Sequence, residues 1–150
     1  MTHDELISTV NNLIETCKDG AEGFKTCSAD ASDPPLKDEL ATRAQSCVAA
    51  ARELQDLVVS LGGKPAVGPS LSGTLHRRWM DIKATILGKD DDAILKECER
   101  GEDLALRSYR RALDKTLPPE VSTIAERQYH GVLQNYDAVK KMRDQHHARG

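Results

Sequence analysis

At 150 residues the chain has the length of one ordinary domain, enough to bury a core. Its charged residues, 30% against 3% aromatic, intersperse both signs to a net −3, which excludes the general pull toward nucleic acid of a basic protein. No apolar run approaches the roughly 20 residues that span a bilayer, and the acidic start Met1-Thr2-His3-Asp4-Glu5 lacks a signal-peptide pattern, so a cytoplasmic protein without membrane binding is expected.

Ala, Leu, Glu, Lys, Arg and Asp dominate, a composition that favours helix over sheet. The first helix is predicted over about 4–30. Leu6, Val10, Leu13, Cys17, Gly20, Phe24, Cys27 and Ala31 recur at four-three spacing, flanked by Ile7, Ile14 and Ala21. That is the apolar seam, with one extra row, of a bundle helix. Gly20 and Gly23 each cost roughly 1 kcal/mol of helix propensity against Ala and mark a close approach or a bend. Glu15 lies off the seam, where a charge is solvated.

Ser32-Asp33-Pro34-Pro35 is a stop and a restart, with Ser or Asp as cap and Pro in the first turn. The second helix is predicted over 34–61, with Leu40, Ala44, Cys47, Ala51, Leu54, Val58 and Leu61 on its seam. So short a link makes the first two helices an antiparallel pair. Gly62-Gly63-Lys64-Pro65 closes the second, with Gly just past the end and Pro soon after.

A Gly/Pro/Ser connection leads to a shorter helix predicted over about 71–87. Leu71, Leu75, Trp79, Ile82 and Ile86 share one face, while Arg77, Arg78 and Lys83 occupy the other with His76 beside them. A basic amphipathic helix suits an acidic partner or an anionic membrane. A lone Trp more often anchors a helix on the core, and that reading comes first. Arg77, Arg78, Trp79 and Lys83 are the candidate partner-binding residues.

Gly88 ends that helix, and Asp90 or Asp91 caps the next, predicted over 91–116. Its stripe holds Leu95, Cys98, Ala105, Leu106, Tyr109, Ala112 and Leu113, and Glu99 and Glu102 fall on its continuation. Two carboxylates a turn apart on a buried face are costly unless paired, protonated or bound to metal. Leu117-Pro118-Pro119-Glu120 restarts the chain for a last helix over 119–143, with Val121, Ala125, Gln128, Val132, Asn135, Val139 and Met142 on its seam. The tail through His146 and His147 is expected to fray.

Cys17, Cys27, Cys47 and Cys98 lie on seams with no C-x-x-C pair among them, which predicts reduced core thiols rather than disulfides or a zinc ribbon. No phosphate loop, nucleophile elbow or H-E-x-x-H occurs. The second helix spans roughly 42 Å, and the following connection and short helix reach up to ~55 Å, enough to return along the bundle. The second and fourth predicted helices then run parallel, and one crossover joins two antiparallel hairpins. That is the ferritin-like arrangement.

Four stretches carry a family resemblance: Asn12-Leu13-Ile14-Glu15-Thr16-Cys17-Lys18-Asp19-Gly20, Leu61-Gly62-Gly63-Lys64-Pro65, Leu75-His76-Arg77-Arg78-Trp79-Met80 and Glu97-Cys98-Glu99-Arg100-Gly101-Glu102-Asp103. In these the chain resembles an uncharacterised bacterial four-helix-bundle family, a domain of unknown function, and more distantly the ferritin-like group. The resemblance implies an all-α, ferritin-like four-helix bundle with an extra amphipathic helix in its crossover, one domain over 1–150, and no assigned activity.

Ferritin-like oxidases hold two irons with a Glu from each of two helices and a Glu-x-x-His from each of the others. By core register this chain offers Cys17 on the first helix, and Cys47 with Ala50 or Ala51 on the second. The last offers Ala125 and Gln128, or, one residue on, Glu126 and Tyr129; only Glu99 and Glu102 keep carboxylates. The metal site is read as degenerate and no cofactor is expected. A buried polar network of Arg43, Glu99, Glu102, Gln128 and Asn135 takes its place, unless the two Glu reach water at a helix flank. The expected function is a non-enzymatic cytosolic bundle acting through an unidentified protein partner or a homo-oligomer, with a stress-associated role by analogy alone. The alternative is an iron-binding oxidoreductase or iron-storage protein using Glu15, Glu99, Glu102, Glu126 and His130.

Overall fold

A computed structural model of the protein describes residues 1–68 and 90–149. Among the described residues there are four helices and no strand: α1 His3–Asp30, α2 Pro34–Ser60, α3 Asp91–Leu113 and α4 Pro119–Arg149. The helix expected over 71–87, with Arg77, Arg78, Trp79 and Lys83, lies outside the described residues. The protein is an all-α four-helix bundle.

Each end has its own chemistry. Thr2 and Glu5 form a reciprocal capping box at the start of α1, with both hydrogen bonds at 3.1 Å. No glycine closes α1. The Lys37 ammonium serves instead, donating to the carbonyls of Ser28, Ala29 and Ala31 at 2.9, 3.1 and 3.0 Å. Gly62, at φ +81°, closes α2 in a Schellman turn: Gly63 N–H donates to Val58 O at 3.0 Å and Gly62 N–H to Val59 O at 2.9 Å. Gly63 is required by a close approach, because a Cβ there would stand 2.6 Å from Ile7 Cδ1. Asp90 caps α3 by accepting from Ala93 N–H at 2.9 Å.

Three expectations change. Neither Ser32 nor Asp33 caps α2 with its side chain; the Asp91 carboxylate reaches across from α3 and accepts from Ser32 N–H at 2.7 Å and Asp33 N–H at 2.9 Å. A helix N-terminus welcomes an anion from any source. The tail also does not fray at residue 143, since α4 continues to Arg149. At the other end α3 stops at Leu113, short of the expected 116.

Hydrogen bonds give the directions. Along α1 and α3 the pairs Asp33–Asp91, Cys17–Tyr109 and Thr9–Lys115 run antiparallel. α3 and α4 pair as a second antiparallel hairpin through Glu99–Arg143 and Tyr109–Gln128. α2 and α4 are antiparallel through Arg43–Asn135 and Ala50–Gln128. It follows that α2 and α3 point the same way, as a single crossover requires. Every residue on the expected α1 seam, from Leu6 to Ala31, is buried. The core gathers into one cluster around Phe24, Leu40, Leu95 and Val139 and another around Leu13, Leu54, Tyr109 and Ala125. α2 and α4 meet far less than the other neighbouring helices, leaving Val132, Asn135 and Met142 on the α4 seam only half-buried.

Asp91 joins the α1–α2 turn to α3, so its loss should unfasten two helix ends at once. Asp91→Ala should lose about 2 kcal/mol in urea denaturation, the scale of hydrogen bonds to a buried charged group. Asp91→Asn, which keeps one acceptor oxygen, should fall between it and wild type.

Candidate functional site

The polar centre of the bundle forms on Tyr109, whose ring is 1% exposed and whose hydroxyl therefore needs a partner. It donates to Gln128 Oε1 at 2.8 Å. Cys17 Sγ lies 3.2 Å from the Tyr109 hydroxyl oxygen, so with the phenol proton committed to Gln128 the thiol is the donor. The Gln128 amide nitrogen donates to Ala50 O at 3.2 Å and Glu53 Oε1 at 2.8 Å, and the other Glu53 oxygen takes Arg127. One chain of hydrogen bonds thus visits all four helices.

Burial pushes the Cys17 thiol up to about 11, against the lowering pull of Tyr109 and Lys18. Burial likewise raises Tyr109 well above the ordinary phenol range, with the Cys17 charge and hydrogen bond adding to it. Both groups hold their protons at neutral pH, so neither is an activated nucleophile. Burial also drives Cys47 well up, and Cys98 rises through its hydrogen bond to Cys27 and then through burial. All four cysteines are free.

A second polar group lies toward the other end. Arg43 donates from Nη1 to Asn135 Oδ1 across the α2–α4 seam and pairs along its own helix with Glu39 at 2.7 Å. Glu102, 3% exposed, keeps Oε2 buried without a hydrogen-bond partner. Burial raises its carboxyl to about 8, with Arg43 pulling the other way.

The residues expected in one network therefore fall into separate sets. Gln128 belongs with Tyr109, Cys17 and Glu53; Arg43 and Asn135 bond to each other; Glu99 pairs with Arg143 at the α3–α4 edge; Glu102 bonds to none of these, its Oε2 buried without a partner. The alternative iron ligands are not brought together. Glu126 and His130 are exposed on α4, Glu15 is half-buried on α1, and Glu99 is engaged by Arg143. Among the described residues no three His, Cys, Asp or Glu side chains converge as a metal would need. At the level where carboxylates and imidazoles would have to meet, Cys17, Tyr109 and Gln128 bond to one another, and this set does not fit a di-iron centre.

Between α2 and α4 a cavity of about 500 Å³ opens to the surface. Cys17, Tyr109 and Gln128 line its deep end, Cys47, Ala50 and Asn135 its walls, and Ser46, Arg127, His130 and Gln134 its exposed rim. Glu53, Arg127 and the cavity itself were not read from the sequence. Tyr109 on the buried stripe of α3 was the available signal, because a buried phenol implies a partner on a facing helix.

Over residues 5–115 the chain matches the family described as Domain of unknown function (DUF2383), a span that takes in α1, α2 and α3 and ends before α4. No curated protein matches it.

Tyr109→Phe strips both Cys17 and Gln128 of a buried partner and should cost about 1–3 kcal/mol. Adding Gln128→Leu should cost less than the sum of the two single losses, since the pair acts as a unit. Glu102 carries the pH dependence. Its folded value of about 8 lies above the unfolded 4.5, so the folded state retains the proton that the unfolded state gives up. Its stabilising contribution is complete below about 4.5 and is lost as pH climbs through about 8. The slope is at most about 1.4 kcal/mol per pH unit. Glu102→Gln should be the more stable chain, by a margin that grows with pH across that window; urea midpoints against pH read it directly.

Proposed function

The chain belongs to the DUF2383 family, a domain of unknown function, and we propose that it works without bond-making chemistry, as a helical bundle that acts by binding. The observation that carries this reading is the Cys17–Tyr109–Gln128–Glu53 chain. It fills the centre of the bundle with groups that bond to one another, and its Cys17 thiol and Tyr109 phenol hold their protons, which supports a structural core rather than a reactive one. The partner is another protein or a second copy of the chain, engaged at the α2–α4 face where the cavity rim is polar and exposed. Arg77, Arg78, Trp79 and Lys83 supply a further basic contact.

Two antiparallel hairpins joined by one crossover support a ferritin-like ancestry in which a metal site has given way to a hydrogen-bonded core. A stress-associated role rests on that analogy alone. Four free thiols support a reducing, cytoplasmic setting. No helix among the described residues is long and apolar enough to cross a membrane.

Protein purified without a histidine tag and titrated anaerobically with Fe(II) should show no saturable uptake and no oxygen consumption on exposure to air. Two irons per chain with oxygen consumption would establish the iron-oxidising alternative instead. For the binding face, a photoreactive residue replacing Gln134 on the cavity rim should crosslink, in cells, to another protein or to a second copy. Crosslinks confined within single chains would rule out binding at this face.

A further inference from the structure

Arg43 and Glu102 are neighbours that do not bond. The guanidinium uses Nη1 on Asn135 and Nη2 on Glu39, while its Nε is buried without a partner. Glu102 Oε2 is buried and also without one. An unused donor and an unused acceptor thus lie in one interior, close enough for the carboxyl to feel the Arg43 charge. A buried carboxyl with no donor is tolerable only while it holds its proton. Ionised, it would attract the guanidinium more strongly than an amide oxygen can, because charge-assisted bonds gain most where water is excluded.

We propose that Glu102 and Arg43 form a proton-controlled latch on the α2–α4 seam: when Glu102 gives up its proton, Arg43 turns inward off Asn135 and the seam widens the mouth of the cavity that Cys47 lines. The seam suits a latch because α2 and α4 touch so little there. The proton passes to solvent water, and no covalent bond changes. Near Glu102 are Arg43 and Cys47 from α2 and Cys98 from its own helix, and Glu97 acts on that same Cys98. Cys27 stands behind Cys98 on α1, and α4 brings the uncharged Asn135, with Arg143 already engaged by Glu99. Cys47 and Cys98 are pushed upward, so Glu102 is the group that changes charge as conditions turn mildly alkaline, its carboxyl sitting at about 8.

Cys47 reports the state of the seam. Labelling of the native chain by N-ethylmaleimide, resolved by mass spectrometry at Cys47, should be compared between wild type and Glu102→Gln from about pH 6.5 to about pH 9. An ionised Glu102 raises the Cys47 thiol in wild type alone, which slows its labelling, so a rise in the ratio of wild-type to Glu102→Gln rates reports exposure and not the thiol's own titration. That ratio should be near one at the acid end and rise on the order of tenfold at the alkaline end, following the ionised fraction of Glu102. Asn135→Ala, which removes the α4 half of the latch, should label quickly at both ends. A flat ratio, or Asn135→Ala labelling as slowly as wild type at the acid end, would overturn the latch.

Discussion

The hydroxyl of Tyr109 is the point on which the interior depends. A ring that large is worth burying, but its oxygen cannot be left dry and unpaired. Gln128 answers it from α4, and an amide that accepts with its oxygen must still place its nitrogen, which it does on Ala50 and Glu53 of α2. Cys17 completes the set from α1. Each bond creates the need for the next, and the sequence of needs passes through every helix.

That chain supplies something the apolar seams lack. Rows of Leu, Val and Ala can slide by a turn and still bury similar area, so hydrophobic repetition alone leaves helix register loosely specified. A phenol, an amide and a carboxylate bond at one offset only. The Asp91 carboxylate on the α1–α2 turn does the same at one end of α1 and α3, and Lys115 on Thr9 does so toward the other. Between these fixed points α1 lies closely against both α2 and α3. The side left loose is α2 against α4, and the cavity opens there.

Much of the fold was legible because burial follows period. The α1 seam could be written down residue by residue from the spacing of Leu6 to Ala31. Gly62 and Gly63 announced the end of α2, and the crossover length foretold the parallel run of α2 and α3. What was not legible depends on distance across helices. Asp91 looks like a local cap in sequence, and only its proximity to Ser32 and Asp33 makes it a clamp on another helix. The stripe drew attention to these polar residues, but a stripe does not give their partners. Glu99 sits a hundred degrees or so around the helix from its neighbour in sequence, enough to take it to the α3–α4 edge and Arg143. Tail length was misjudged for a related reason, since nothing between Val139 and Arg149 signals a stop.

Gln128 and Glu102 show what decides whether a buried polar residue belongs to the scaffold. The two differ by little in size, and each faces the interior from a seam. The amide carries donors and acceptors together, so it can satisfy a phenol on one side and a carboxylate on the other without any charge being buried. The carboxyl can accept freely only as an anion, and the anion is costly in a dry interior unless a cation turns to meet it. Gln128 is met on every side, whereas Glu102 has a guanidinium nearby that is committed elsewhere. Beside the satisfied Tyr109–Gln128 set the contrast is plain. The cost of Glu102 is borne beside the loosest seam of the bundle, where the arrangement of helices has most freedom to respond to it.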